Sequence, residues 1–344
     1  MPKPTIDDVA ILAGVSIKTV SRVVNREPNV RDATREKVEK AISQLKYRPN
    51  PSAQNLAALR ARLIVLIYDD PGYYEAPSAG YIISLQQGAL NACQKAGFEL
   101  LIHPCNYRNH KIGAELRALI EQVRPSGIII AAPLSNMPKI VRAVSDTGTP
   151  CVRLSHGSAN GKEYSVATND REISAEMTTY LVSQGHSRIA FVKGDKRHKA
   201  VCNRFDGYRD GLKQAGLPYL EELVVEGDNS IGSGEECAEE LLRVEPRPTA
   251  IFAANDDMAA GALRVAIRRG IKVPEELSIA GCDDISLAQQ IYPSLTTIRQ
   301  PLSIMADIAS QALIDGVRGS SRDPGLEIVP GTIKVRESTG PAPK

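Results

Sequence analysis

Catalytic chemistry on this 344-residue chain would have to come from a few constellations. Asp256–Asp257 and Asp283–Asp284 pair carboxylates as an acid–base site would need. No G-x-S-x-G elbow and no phosphate-binding P-loop accompanies them. His103, His110, His156, His186 and His198 are scattered, without partners at catalytic or metal-ligand spacing. Cys93, Cys105, Cys151, Cys202, Cys237 and Cys282 form no C-x-x-C pair and read as small apolar residues of a reducing compartment. An enzyme, a metal site and a bound cofactor are therefore not expected. Near the N-terminus a different chemistry is spelled out. Ser16, Ile17, Lys18, Thr19, Ser21, Arg22 and Asn25 put cations, hydroxyls and one apolar side chain into a single short run. Such groups hold phosphates and read base edges.

The elements that must position that run follow from the flanking residues. Thr5 caps a helix whose first turn carries Asp7 and Asp8, complementing the helix dipole. Ile6, Val9, Ala10 and Ala13 repeat at helical spacing, and Gly14 ends the pattern where a left-handed residue is needed. Ser16 caps a second helix with Val20, Val23 and Val24 as its apolar stripe. Two short helices joined by a glycine turn, the second polar and basic on its outer face, read as a DNA-binding helix-turn-helix. Asp32 opens a third helix through Val38, Ala41, Ile42 and Leu45, which closes a small core. Pro49 stops it. Asn50 and Pro51 then start a short helix through Leu56, too short to be stable alone and expected to fold on DNA.

Charge divides at the same place. Residues 1–60 hold 11 Lys+Arg against 6 Asp+Glu, and the remainder holds 31 against 34. A basic head on a mildly acidic body suits a polyanion-binding module attached to something else. From residue 62 apolar runs alternate with helical patterns: 63–68, 99–104, 127–133, 151–155, 165–169, 188–194, 223–227, 249–255 and 277–284 as strands, with helices between them. Doubly buried strands in this rhythm imply parallel sheets covered by helices. Two successive series imply two Rossmann-like lobes, with a ligand pocket between them beyond the strands' carboxyl ends. The N-terminus has no apolar signal region and no run reaches membrane-spanning length, so a cytoplasmic protein is expected.

Several ordered motifs now converge. The head reads T-I-D-D-V-A, A-G-V-S, T-V-S-R-V-V-N and Y-R-P-N, with Ala53 and Leu56 following. The body contains R-F-D-G-Y (204–208), A-N-D-D-M-A-x-G-A-L (254–263), G-C-D-D (281–284) and P-S-L-T-T-I-R-Q-P (293–301). Over essentially its whole length the chain resembles the lactose-repressor (LacI/GalR) family of bacterial transcription regulators. The resemblance implies an all-α helix-turn-helix head (1–46), a hinge helix (47–61) and an α/β effector-binding core (62–344) of the type I periplasmic-binding-protein kind. Its first lobe would span 62–162 and 291–321 and its second 163–290 and 322–338, with crossings near 163, 291 and 322. A homodimer on palindromic operator DNA is implied. A small molecule in the cleft, taken as a sugar, would control it by shifting populations.

Residue roles are implied position by position. Ile17, Lys18 and Arg22 would face bases, Arg22 suiting a guanine and Ile17 a thymine methyl. Ser16, Thr19, Ser21 and Asn25 would hold phosphates, and the DNA-facing set extends to Thr5, Asn50 and Ala53. Leu56 would wedge into the minor groove at the operator centre. In the cleft, Arg204, Asp283 and Asn255 match family ligand-binding positions. The family pattern departs at Ser155, where many sugar-binding members place an aspartate, and at Asn229, where several carry an aromatic. Tyr74 and Tyr81, with Tyr73, would supply aromatic surface instead. A nucleoside or purine-like co-repressor, and a sugar receptor with no regulatory role, are the alternatives for the body. No leucine heptad follows Val335, so a dimer rather than a tetramer is expected.

Overall fold

A computed structural model describes residues 4–24, 30–45, 47, 62–70, 79–155 and 163–344. The chain divides into two units, Met1–Ala61 and Arg62–Lys344.

In the first unit, helix α1 (Ile6–Ala13) begins at Thr5, whose hydroxyl accepts from the Asp8 amide while the Asp8 carboxylate accepts from the Thr5 amide at 2.8 Å. This capping box satisfies two otherwise orphaned donors. Gly14, at φ 64°, ends the helix in the left-handed region. Helix α2 (Ile17–Val24) starts behind Ser16, whose Oγ accepts from the Thr19 amide at 3.2 Å. Helix α3 (Asp32–Leu45) completes the module. Val9, Ala10, Val20, Val23, Val38 and Ala41 form its buried core. Burial of α2 on Val20 and Val23 leaves Ser16, Ile17, Lys18 and Arg22 exposed on the opposite face.

The second unit holds two six-stranded sheets. The first consists of β1 (Leu63–Asp69), β2 (Glu99–Cys105), β3 (Gly127–Ile130), β4 (Cys151–Leu154), β5 (Tyr164–Ala167) and β11 (Gly325–Ile328) in the order β11-β5-β4-β3-β1-β2, all parallel. Helices α4 (Ala79–Ala96) and α12 (Leu302–Val317) cover one face, and α5 (Ile112–Val123) with α6 (Pro138–Ser145) the other. The second contains β6 (Ile189–Lys193), β7 (Val224–Glu226), β8 (Ala250–Ala253), β9 (Ser278–Asp283), β10 (Thr296–Arg299) and β12 (Thr332–Lys334), ordered β12-β10-β9-β8-β6-β7, with only β12 antiparallel. Its helices are α7 (Asp170–Ser183), α8 (Lys199–Gln214), α9 (Ile231–Leu241), α10 (Asp256–Arg268) and the short α11 (Ser286–Gln290).

Central strands such as β3, β8 and β9 are buried throughout, as parallel strands between helix layers must be. Edge strand β2 is only half-buried, so its apolar run is not that of a doubly covered strand. Helices approach closely enough that a Cβ on Gly88 of α4 would lie 1.9 Å from the Ser303 carbonyl oxygen of α12.

Strand membership corrects the crossings placed near 163, 291 and 322. β5 pairs with β4 in the first sheet, β10 with β9 in the second, and β11 with β5 in the first. The chain therefore crosses at 168–169, 300–301 and 329–331. Each lobe completes one more strand before the chain leaves it, because pairing that strand satisfies its backbone groups and buries its apolar side chains.

Candidate functional site

The carboxyl ends of β4, β7, β8 and β9, with α4 and α8, converge on a narrow cleft between the two lobes. Tyr81, Ala132 and Ser155 line it from the first lobe, and His198, Ala200, Val201, Arg204, Asn229, Asn255 and Asp283 from the second. Six of the seven cleft side chains named from sequence thus surround one space; the seventh, Tyr74, with Tyr73, lies outside the described residues.

Backbone strain concentrates here. Ser155 (φ 54°), Asn229 (φ 74°) and Asp283 (φ 128°) occupy the positive-φ region that side chains rarely adopt, and Asp284 (φ 56°) follows directly. Every one of these sits at or just beyond a strand end, where the chain turns sharply over the cleft.

Arg204 is the electrostatic centre. Its Nε donates to Asp170 Oδ1 at 2.8 Å and its Nη1 to the Ala254 carbonyl at 2.6 Å, with Asp283 Oδ1 3.4 Å away. All three side chains are at least nine-tenths buried. Burial raises the Asp170 pKa while the Arg204 charge opposes the shift. The Asp283 carboxyl is pushed up to about 7, chiefly by burial, again with Arg204 pulling against it. Gln300 donates from Nε2 to Asp283 Oδ1 and is itself buried.

Asp170 begins α7 just after the first crossing and Gln300 lies within the second. Both escaped the sequence reading. Gln300 stood in the quoted P-S-L-T-T-I-R-Q-P run without a role, and Asp170 carried no local signal, because its partner is 34 residues away.

Asn255 lines the cleft, yet its amide serves the scaffold. Oδ1 accepts from the Met258 amide at 3.0 Å, capping α10, and Nδ2 donates to the Asn229 carbonyl at 2.9 Å. Asp256 and Asp284, from the two carboxylate pairs, are also structural. Asp256 accepts from Thr297 Oγ1 at 2.5 Å and from the Ile285 amide at 3.0 Å. Asp284 accepts from Arg299 and Arg336, both at 2.5 Å. No group of three metal-capable side chains occurs among the described residues.

Tyr81 and Ser155 share a hydrogen bond of 3.2 Å. Burial raises the Tyr81 pKa to about 12, so the phenol is neutral. His198, missed from sequence because it looked like one scattered histidine among five, is held by burial at a pKa of about 4 and presents a neutral imidazole.

Asn229 owes its place to Gly194. A Cβ there would lie 1.9 Å from Asn229 Oδ1. Gly194→Ala is expected to turn the Asn229 amide away from the Asp195 amide that donates to it at 3.4 Å. The loss should be about 1–2 kcal/mol in a urea titration, with operator binding retained.

On the head, the side chains of α2 form a surface rather than a pocket. Ile17 is 48% exposed. Thr5 and Ser16 are engaged as caps, and Ser16 Oγ shares a hydrogen bond of 2.9 Å with Thr19 Oγ1, so the start of α2 is already ordered. Asn25, Asn50, Ala53 and Leu56, with all of the expected hinge helix except Tyr47, lie outside the described residues.

Residues 5–50 match the model of bacterial regulatory proteins of the lacI family, and residues 178–339 match that of a periplasmic binding protein-like domain. The HTH-type transcriptional regulator DegA of Bacillus subtilis is 33% identical over 98% of this chain and 99% of its own length. The HTH-type transcriptional repressor PurR of Vibrio atlanticus is 31% identical over 93% of both chains. Among solved structures, the complex of transcriptional regulator CelR with cellobiose matches at a TM-score of 0.75 and 30% identity, covering 97% of this chain and 99% of that one. The lac repressor dimer bound to operator and the anti-inducer ONPF matches at 0.75 and 28%, covering 98% and 100%.

Proposed function

This chain belongs to the LacI family of bacterial regulatory proteins, and we propose that an uncharged, hydroxylated small molecule in its cleft controls how its dimer grips a palindromic operator. The protein is a DNA-binding transcriptional repressor and not an enzyme. The head at 1–46 docks α2 in the major groove, Ile17, Lys18 and Arg22 toward bases and Ser16, Thr19 and Ser21 toward phosphates. Residues 47–61 form the hinge, with Leu56 from each protomer wedging at the operator centre. A DNA target supports a cytoplasmic location.

The observation that carries the effector class is the neutralisation of Arg204. Two carboxylates and a carbonyl already surround the one cation among the described lining residues. A phosphate or carboxylate on the effector would meet Asp170 and Asp283 with no free positive charge to receive it. The neutral donors and acceptors of Tyr81, Ser155, His198 and Asn229 suit hydroxyl groups instead. CelR, whose structure holds cellobiose, is consistent with such a molecule. A nucleoside or purine-like effector would call for aromatic stacking surface, and Tyr81 is the one phenol ring in the described lining.

Cleft occupancy reaches the DNA by a shift in populations. An occupant that bonds Asp283 and Arg204 competes with their partners beside the first crossing, Asp170, and within the second, Gln300. It thereby changes the angle between the lobes, and through the dimer the spacing of the two hinge helices.

Thermal shifts of the full chain with matched compounds test the class: glucose, galactose, ribose and cellobiose against sugar phosphates, uronates and nucleosides. A ligand at 100 times its Kd adds about 2.7 kcal/mol of stability. A neutral sugar should stabilise, and Asp283→Asn should remove the effect. Stabilisation by an anionic sugar whose neutral parent has none would overturn the reading.

A further inference from the structure

The lobes also meet outside the cleft lining, at its rim. Arg197 follows β6 in the second lobe and Tyr107 follows β2 in the first. The Arg197 guanidinium lies over the Tyr107 ring, 4.6 Å from its centroid. Each partner is held from behind by an acid of its own lobe. Arg197 Nε donates to Asp195 Oδ1 and Oδ2 at 2.7 and 2.8 Å. The Tyr107 amide donates to Asp69 Oδ1 at 3.2 Å. Asp69 ends β1, and its negative charge also faces Arg197. Arg108 lies 5.7 Å from the same ring centroid, so the ring carries a cation from each lobe.

We propose that Arg197 and Tyr107 form a latch that holds the two lobes closed across the cleft rim and so acts as a pair of positioning residues for the cleft. A cation over an aromatic face is attractive without strict orientation, and it breaks without leaving a buried polar group unpaired. Those properties suit a contact that must form and release as the lobes move. The latch is wired to the cleft wall. His198, the next residue after Arg197, lines the cleft, and the Asp195 amide donates to Asn229 Oδ1 at 3.4 Å. An occupant that shifts Asn229 or His198 therefore moves the second-lobe half of the latch. The reading of this cleft as the effector site supplies the consequence of the latch, while closure itself is measured without any effector.

Hydrogen exchange by mass spectrometry on the full chain decides it, following peptides that cover 105–111 and 194–204. Amides in both are hydrogen-bonded: Tyr107 to Asp69, and Arg197 and His198 to Asp195 at 2.9 Å. Arg197→Ala should speed exchange in the first-lobe peptide, and Tyr107→Leu should speed it in the second-lobe peptide. Each effect should be about 2- to 5-fold, the range of an exposed cation–π contact. Tyr107→Phe keeps the ring and should leave both peptides at wild-type rates. Acceleration confined to the mutated lobe, no acceleration, or a Tyr107→Phe effect equal to that of Tyr107→Leu overturns the latch. Thermal midpoints of all three variants should stay near wild type, since both side chains are partly exposed.

Discussion

Arg204→Met is expected to destabilise the core by about 3–5 kcal/mol at neutral pH, because it leaves Asp170 and Asp283 buried against each other without their cation. Methionine keeps most of the volume, so the loss reports charge rather than a cavity. The pH dependence identifies the cause. Burial has raised Asp283 from 3.8 to about 7, and Asp170 is raised by burial as well. A carboxyl with a raised folded-state pKa binds its proton more tightly folded than unfolded. Its contribution to stability is full below the unfolded value and is lost as pH rises through the folded one. In the wild type that window for Asp283 runs from about 4 to about 7. Arg204 opposes both shifts, so its removal moves the two folded-state values further up. The deficit of Arg204→Met should therefore be small near pH 4 and grow steadily toward pH 8 in urea titrations. A deficit independent of pH would mean that the guanidinium contributes through packing alone. The same variant should lose the response to any effector found by thermal shift, while operator binding in the absence of effector persists.

Much of this arrangement is legible in the sequence, and the part that is not shares one physical feature. Local periodicity reveals the helix-turn-helix and most strands of the two sheets, since burial on one face or two leaves its mark within a few residues. Arg204, Asn229 and Asp283 are legible because they stand at the family's ligand-binding positions, Arg204 on α8 and the other two at or just beyond strand ends. The pairings are invisible. Asp170 and Gln300 matter through Arg204 and Asp283, which lie 34 and 17 residues away along the chain. No spacing rule connects them. The same limit displaced the crossings: β5, β10 and β11 are four residues each, and a strand that short does not announce which sheet it joins. Asn255 marks the opposite error. Its motif points at the cleft, and the residue is there, but helix capping already occupies its oxygen.

Arg22→Ala should reduce specific operator affinity by about 5- to 150-fold, the range of a bidentate arginine–guanine contact of roughly 1–3 kcal/mol. The fold should not suffer. Arg22 is exposed in the last turn of α2, whose packing rests on Val20 and Val23, and alanine is the best helix former. Two outcomes separate reading from anchoring. If Arg22 reads a base, DNA selected from a random duplex pool by the variant should lose its preference at one position per half-site. Affinity for unrelated duplex DNA should then barely change. If Arg22 holds a phosphate, binding should weaken equally on all sequences and the salt dependence should flatten by about one unit of slope. Ile17 sharpens the comparison, because an apolar side chain at 48% exposure gains nothing from phosphates. Ile17→Ala should therefore alter selected sequence without altering the salt slope at all, and any helix-turn-helix in which both substitutions changed only the slope would be binding DNA without reading it through this helix face.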